Sequence, residues 1–138
     1  YSIFCILSYE VRVTLEPKEI AQLFAQIADN KKAEDIVILD LRRLTFFTEF
    51  FVICSGINPR QLQAIVDEIG KEAKERGLSK LAIEGYREAR WILLDYGDVI
   101  MHLFNKEARH FYDLELLWGD APRVKCHPAK AAGKTGNK

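Results

Sequence analysis

Residues 50–77 limit what this chain can fold into more than any other stretch. Phe50-Phe51-Val52-Ile53-Cys54-Ser55 is a short, continuous apolar run of strand length. Asn58 follows as an N-cap with Pro59 at the first helical position, and Leu62, Ile65, Val66, Ile69 and Ala73 recur on one side of a helix that Gly77 ends. A strand feeding an amphipathic helix in this way calls for a sheet with helices packed against it.

The flanking segments fit that frame. Pro17 followed by Ile20, Leu23, Phe24 and Ile27 marks a first amphipathic helix ending near Asn30. Ile36-Val37-Ile38-Leu39-Asp40-Leu41 is β-branched and continuous, as suits a strand covered on both faces. After the second helix come strand candidates at 80–84, 91–95 and 99–104. The last two flank Tyr96-Gly97-Asp98, whose glycine admits a positive φ, and so predict a tight antiparallel hairpin. Residues 107–118 close the pattern as one helical segment, with Leu114, Leu117 and Trp118 available for packing. The order α-β-β-α-β-β-β-α predicts an α/β, α+β-like single domain, with a mixed sheet of about five strands and flanking helices. It lacks the strict strand–helix alternation of a doubly wound nucleotide-binding fold. The domain spans 16–121, preceded by an extension at 1–15 and followed at 122–138 by a basic tail with little to bury, expected to be disordered.

Charge is distributed unevenly. Twenty basic residues match twenty acidic ones, but Arg123, Lys125, Lys130, Lys134 and Lys138 face no acid after Pro122, so positions 1–121 carry fifteen basic against twenty acidic residues. A body near −5 repels phosphate, which points to a basic protein as partner and leaves the tail at most a weak contact with RNA phosphate. Cys5, Cys54 and Cys126 form neither a disulfide framework nor a CxxC motif, as fits a reducing compartment. The apolar opening is interrupted by Glu10 and Arg12, lacks a basic n-region and a cleavage site, and reads as no signal peptide; no run reaches the ~20 apolar residues of a membrane helix.

Motifs that could carry chemistry are weak. Ser55-Gly56-Ile57-Asn58-Pro59-Arg60 joins a strand to a helix N-terminus, where an anion could sit, but it lacks the glycine pattern of a phosphate loop. The element order resembles the nucleotidyltransferase scaffold, yet those enzymes need a Gly-Ser pair followed by alternating carboxylates. Here the pair is reversed, and Asp67 and Glu68 are adjacent on a helix. Asp95 and Asp98 flank a turn that explains them without a metal. His102, His110 and His127 make no zinc pattern, and Cys54 interrupts an apolar strand, where cysteines are buried and inert. No enzyme activity and no cofactor are expected. The conspicuous stretch is 84–98, which sets Tyr86, Trp91 and Tyr96 among Arg87, Arg90, Asp95 and Asp98, the residue types enriched at interface hot spots.

That stretch also carries a family likeness. Glu84-Gly85, Trp91, Asp95-Tyr96-Gly97-Asp98, His102-Leu103-Phe104, then Arg109-His110-Phe111-Tyr112-Asp113-Leu114-Glu115 and Leu117-Trp118 form an ordered string similar to the signature of the Iojap/RsfS ribosomal silencing factors. Ala33-Glu34-Asp35-Ile36, Asp40-Leu41, Phe51-Val52-Ile53, Ser55-Gly56 and Arg60-Gln61 match the first half, so the resemblance covers residues 17–121. Thr48-Glu49-Phe50 stands where the family commonly has Ala-Asp-Tyr, a change that keeps an acid and an aromatic. The resemblance implies a domain, often homodimeric, that binds the fourteenth protein of the large ribosomal subunit at the face meeting the small subunit, blocks subunit joining and lowers translation. It implies contacts at Trp91, Leu94, Asp95, Tyr96 and Asp98, with Arg109, Tyr112 and Glu115 as contacts or supports. The implied location is a bacterial cytoplasm, or an organelle if a transit segment has been lost.

Overall fold

The computed structural model describes residues 15–126. Along the chain run α1 (Pro17–Asn30), β1 (Glu34–Asp40), β2 (Phe50–Gly56), α2 (Pro59–Glu75), β3 (Ala82–Glu84), β4 (Trp91–Asp95), β5 (Val99–Asn105), α3 (Lys106–Tyr112), α4 (Leu114–Leu117) and β6 (Arg123–Val124). The strands form one sheet in the order β3-β4-β5-β2-β1-β6. Its neighbours are antiparallel except β2 and β5, whose parallel pairing requires the long crossover that α2, β3 and β4 supply. This mixed α/β single domain is the architecture that the periodicities predict.

Local chemistry sets the helix starts. In α2 the Asn58 Oδ1 accepts the Gln61 backbone N–H at 2.8 Å, with Pro59 just inside the helix. At α1 the Glu19 carboxylate accepts the Glu16 N–H at 2.9 Å. The glycine between β2 and α2 is there for packing. A Cβ on Gly56 would lie 2.7 Å from Leu62 Cδ2, so the turn closes onto its own helix rather than around an anion.

Period-two alternation divides the sheet side chains between two unequal layers. Ile38, Phe50, Val52, Ile92, Leu94, Met101 and Leu103 pack under α1 and α2 with Phe24, Ile27, Leu62, Ile65 and Ile69. On the opposite face Leu39, Phe51, Ile53 and Phe104 are covered only by the short α3 and α4 and the segment to Ala121. β2 lies at the centre and is buried along its whole length.

The expected mixed sheet of about five strands has six. Two other expectations are corrected. First, the sixth strand, β6, lies in the segment expected to be a disordered tail. Its backbone pairs Ile38 with Val124 and Leu39 with Arg123, while Gln22 donates to the Lys125 carbonyl and the Cys126 thiol to the Ile36 carbonyl. Val124 and Cys126 pack against the main core, enough to order a segment that composition marks as polar. Second, the single closing helix is two, broken at Asp113, which takes φ +47 in the left-handed region. The rest of the expected tail, residues 127–138, and the extension at 1–14 lie outside the described residues.

Candidate docking face

Trp91 opens β4 on the thinly covered side. Its Nε1–H donates to His102 Nδ1 at 3.0 Å, and its ring lies 4.5 Å from that of Tyr112 and 5.0 Å from Phe104. From there ring contacts run unbroken: His102 to Phe51 at 4.5 Å, Phe51 to Trp118 at 5.8 Å, Trp118 to Phe47 at 6.3 Å and, at the other end, Tyr112 to Phe111 at 5.0 Å. Phe51, His102 and Phe104 are buried, Trp91 and Trp118 are half-buried, and Tyr112 and the two ends are exposed. Phe111 is 78 % exposed, Leu116 76 % and Leu117 72 %, and Phe46 is fully exposed beside Phe47. Covering such a side chain is worth roughly 1.5–3 kcal/mol, and large exposed apolar patches mark interaction surfaces.

A polar clamp holds the two short helices on this face. Arg109 on α3 donates Nε and Nη2 to both carboxylate oxygens of Glu115 on α4, at 3.1 and 2.8 Å, and Nη1 to the Ser55 Oγ of β2 at 2.9 Å. Arg109 is thus a strut: it bridges the left-handed break at Asp113 and ties both helices to the central strand. The guanidinium holds the Glu115 carboxyl below its usual range. With Trp91 donating to Nδ1, the neutral imidazole of His102 carries its proton on the buried Nε2, and burial pushes its pKa down to about 4.

The expected site residues therefore divide. Trp91, Tyr112, Arg109 and Glu115 meet on one face, and Asp95 shares that side of the sheet opposite Ile100. Leu94 is 1 % exposed on the opposite side, under the helices, so it offers a partner no surface. Tyr96 is half-buried there too, edge-on to Phe24 at 5.1 Å. Asp95 accepts the Gly97 N–H at 2.8 Å, and Asp98 stands exposed at the hairpin tip, its carbonyl accepting from Glu49 and Phe50. Gly97, at φ +86, makes this the tight hairpin expected.

Sequence reasoning missed Phe46, Phe47, Phe111 and Leu116, and assigned Leu117 to packing. Of that group Leu114 and Trp118 pack inward while Leu116 and Leu117 face solvent. A signal was present: Leu114, Leu116, Leu117 and Trp118 put four large apolar residues into five positions, more than one side of a single turn can bury.

The chemical alternatives find little support. Asp67 accepts the Tyr86 hydroxyl at 2.9 Å, and the adjacent Glu68 instead hydrogen-bonds Glu72, raising the Glu72 pKa, so the two carboxylates do not converge. Cys54 is fully buried, and desolvation pushes its thiol up to about 12, which keeps it protonated. Among the described residues no cluster of three or more His, Cys, Asp or Glu could hold a metal, and no helix is long and apolar enough to cross a membrane.

Comparison with known proteins places these features in context. Residues 14–138 match the family described as ribosomal silencing factor during starvation. A Halalkalibacterium halodurans protein named ribosomal silencing factor RsfS is 45 % identical over 108 residues, 78 % of this chain and 92 % of that protein. A mouse protein named mitochondrial assembly of ribosomal large subunit protein 1 is 31 % identical over 99 residues, 70 % of this chain and 43 % of its own length. Among solved structures, a crystal structure of a Chromobacterium violaceum protein superposes with a TM-score of 0.73 at 32 % identity, covering 76 % of this chain and 88 % of that one.

Proposed function

The chain belongs to the ribosomal silencing factor family, whose named members are regulators rather than enzymes, and on that premise we propose that it binds the large ribosomal subunit through its fourteenth protein and sterically blocks association with the small subunit, repressing translation. One observation carries the reading: the unbroken chain of rings from Phe47 to Phe111, anchored by buried Phe51, His102 and Phe104 and surfacing at Trp91, Tyr112 and both ends, on the sheet face that the long helices leave free. Such a surface is built for a macromolecular partner, with Trp91 and Tyr112 at its centre as aromatic anchors. A body near −5 over positions 1–121 suits a basic ribosomal protein. The name of the mouse relative supports the large subunit rather than the small.

Residue roles follow from position. Trp91, Tyr112 and Phe111 make contact, Asp95 and Asp98 supply acidic rim charges, and Arg109 and Glu115 hold α3 and α4 so that the aromatic ends stay presented. Leu94 and Tyr96 act from behind by seating β4 and the hairpin on α1. In the free protein the same apolar ends are shielded by a second copy, giving a homodimer that size-exclusion chromatography with light scattering reads directly. The site of action is wherever the ribosomes are, the cytoplasm for a bacterial chain. The test is sedimentation with purified subunits: wild type pellets with the large subunit and not the small, and Trp91→Ala and Phe111→Glu stay in the supernatant. Equal pelleting of the wild type and both variants would remove this face from the site.

A second reading has one observation in its favour, the assembly role in the mouse relative's name. An assembly adaptor would bind immature large subunits and leave joining of mature subunits unaffected.

A further inference from the structure

We propose that the groove at the β6 edge of the sheet is a docking site for the phosphodiester backbone of RNA. Two adjoining clefts of about 500 and 330 Å³ share Asp40 and are lined between them by Lys18, Arg42, Arg43, Arg123 and Lys125. The five cations come from three separate segments: the start of α1, the turn after β1, and the β6 segment, which its ladder with β1 brings alongside the other two. All five are exposed. Asp40 is already engaged, its carboxylate gripping Arg42 at 2.7 and 3.0 Å, while the Arg42 guanidinium lies 5.1 Å from the centroid of the Phe50 ring. Among the described residues no salt bridge engages Lys18, Arg43, Arg123 or Lys125. Of the other acids, Glu49 acts on Arg42, and Glu115 acts on Arg123 but is itself clamped by Arg109.

A net-acidic body with four unbridged cations and Arg42 brought together around one groove is not uniformly repelled by nucleic acid. It is oriented by it. Apart from Pro122 and Val124, the groove is ringed by guanidinium and ammonium groups with no aromatic side chain in its lining, which suits phosphate neutralisation. The described structure ends at this edge with Cys126, and the sequence after it holds Lys130, Lys134 and Lys138 and no acid. Trp91 lies on β4 and the groove on β6, four strand spacings away, or about 19 Å. A protein held against the aromatic face therefore leaves the groove free to rest on RNA beside it. That the RNA is ribosomal rests on the docking reading above; the phosphate chemistry does not.

The experiment is fluorescence anisotropy with a labelled RNA hairpin and the full chain, without ribosomal proteins, across a salt series. Four uncommitted cations predict a slope of log affinity against log salt of about −3, which is about sixtyfold weaker binding at 200 mM than at 50 mM salt. Arg43→Glu with Arg123→Glu, its fold checked by circular dichroism, is expected to weaken binding at least tenfold and flatten the slope to between about −1 and −2. Lys130→Gln, Lys134→Gln and Lys138→Gln together are expected to cost less than that pair. The proposal is overturned if wild type does not bind the hairpin, if the groove pair binds as wild type does, if the tail variant alone abolishes binding, or if polyglutamate or phosphatidylserine vesicles bind more tightly than RNA through the same residues. Trp91→Ala is expected to bind the hairpin normally while failing to pellet with large subunits, so each reading can fail without the other.

Discussion

Replacing Arg109 by alanine removes three hydrogen bonds at once: two to Glu115 and one to Ser55. The side chains of Arg109 and Glu115 are 11 % and 23 % exposed, between the buried limit, where breaking a pair costs 3–5 kcal/mol, and the surface limit of 0–1 kcal/mol. An intermediate value of about 2 kcal/mol is appropriate, and the buried Ser55 hydroxyl, left without its donor, adds about 1 kcal/mol. The total of about 3 kcal/mol corresponds to a fall in Tm of roughly 10 °C for a domain of this size, read by thermal melting with circular dichroism. Because one clamp is shared, Glu115→Ala should cost much less in the Arg109→Ala background than in the wild type, with a coupling energy of at least ~1 kcal/mol in the double-mutant cycle. The variant should also lose large-subunit binding at temperatures where it is still folded, since α3 and α4 then hold Tyr112 and Phe111 loosely. Additive single effects, or a Tm loss under about 3 °C, would refute the strut.

Other perturbations test separate parts of the account. Gly85 takes φ +81, and a Cβ there would stand 2.1 Å from the Trp91 carbonyl oxygen, so Gly85→Ala should destabilise by about 2–3 kcal/mol in urea unfolding; a neutral variant would contradict that close approach. His102 is held neutral in the fold with a pKa of about 4 against 6.5 unfolded, so the unfolded chain binds the extra proton and stability falls as pH drops from about 6.5 to about 4, by up to ~3 kcal/mol. His102→Phe should flatten that window. Loss of the carboxylate stabilisation at Glu115 and Asp40, whose folded pKa values are lowered, comes at more acid pH and should persist in the variant. Leu117→Ser, at a 72 % exposed position, should change stability by less than about 0.5 kcal/mol while weakening self-association and large-subunit binding; a large stability loss would place Leu117 in the core. Asp98→Lys reverses a charge at the exposed hairpin tip and should weaken docking without unfolding; unchanged pelleting would remove Asp98 from the rim.

The fold was legible wherever a single helical or strand period governed the residues. α1 starts at Pro17 and ends at Asn30 as its spacing predicts, α2 follows from Asn58 and Pro59, and the β4–β5 hairpin from Tyr96-Gly97-Asp98. β6 was hidden because two residues carry no period: Arg123–Val124 is a strand only because β1 offers it an open edge. The break at Asp113 was hidden too, since nothing local distinguishes an aspartate in the left-handed region from one continuing a helix. In the candidate site, Trp91, Arg109, Tyr112 and Glu115 were singled out by the ordered family pattern, and the structure places them on one face. Leu94 and Tyr96 belonged to the same stretch but alternate to the other side, which sequence proximity does not reveal. The exposed ends at Phe46, Phe111 and Leu116 needed the packing itself, because an apolar residue is conspicuous only once the surface around it is known.

Subunit joining tests the central claim most directly. Purified large and small subunits are mixed at fixed Mg²⁺ and salt, and light scattering is followed with the protein added to the large subunit beforehand. Steric exclusion predicts that wild type suppresses the scattering rise in proportion to its occupancy of the large subunit and that Trp91→Ala and Phe111→Glu restore it. A full rise at saturating occupancy of the large subunit would contradict silencing by exclusion and leave the assembly adaptor as the function of the aromatic face.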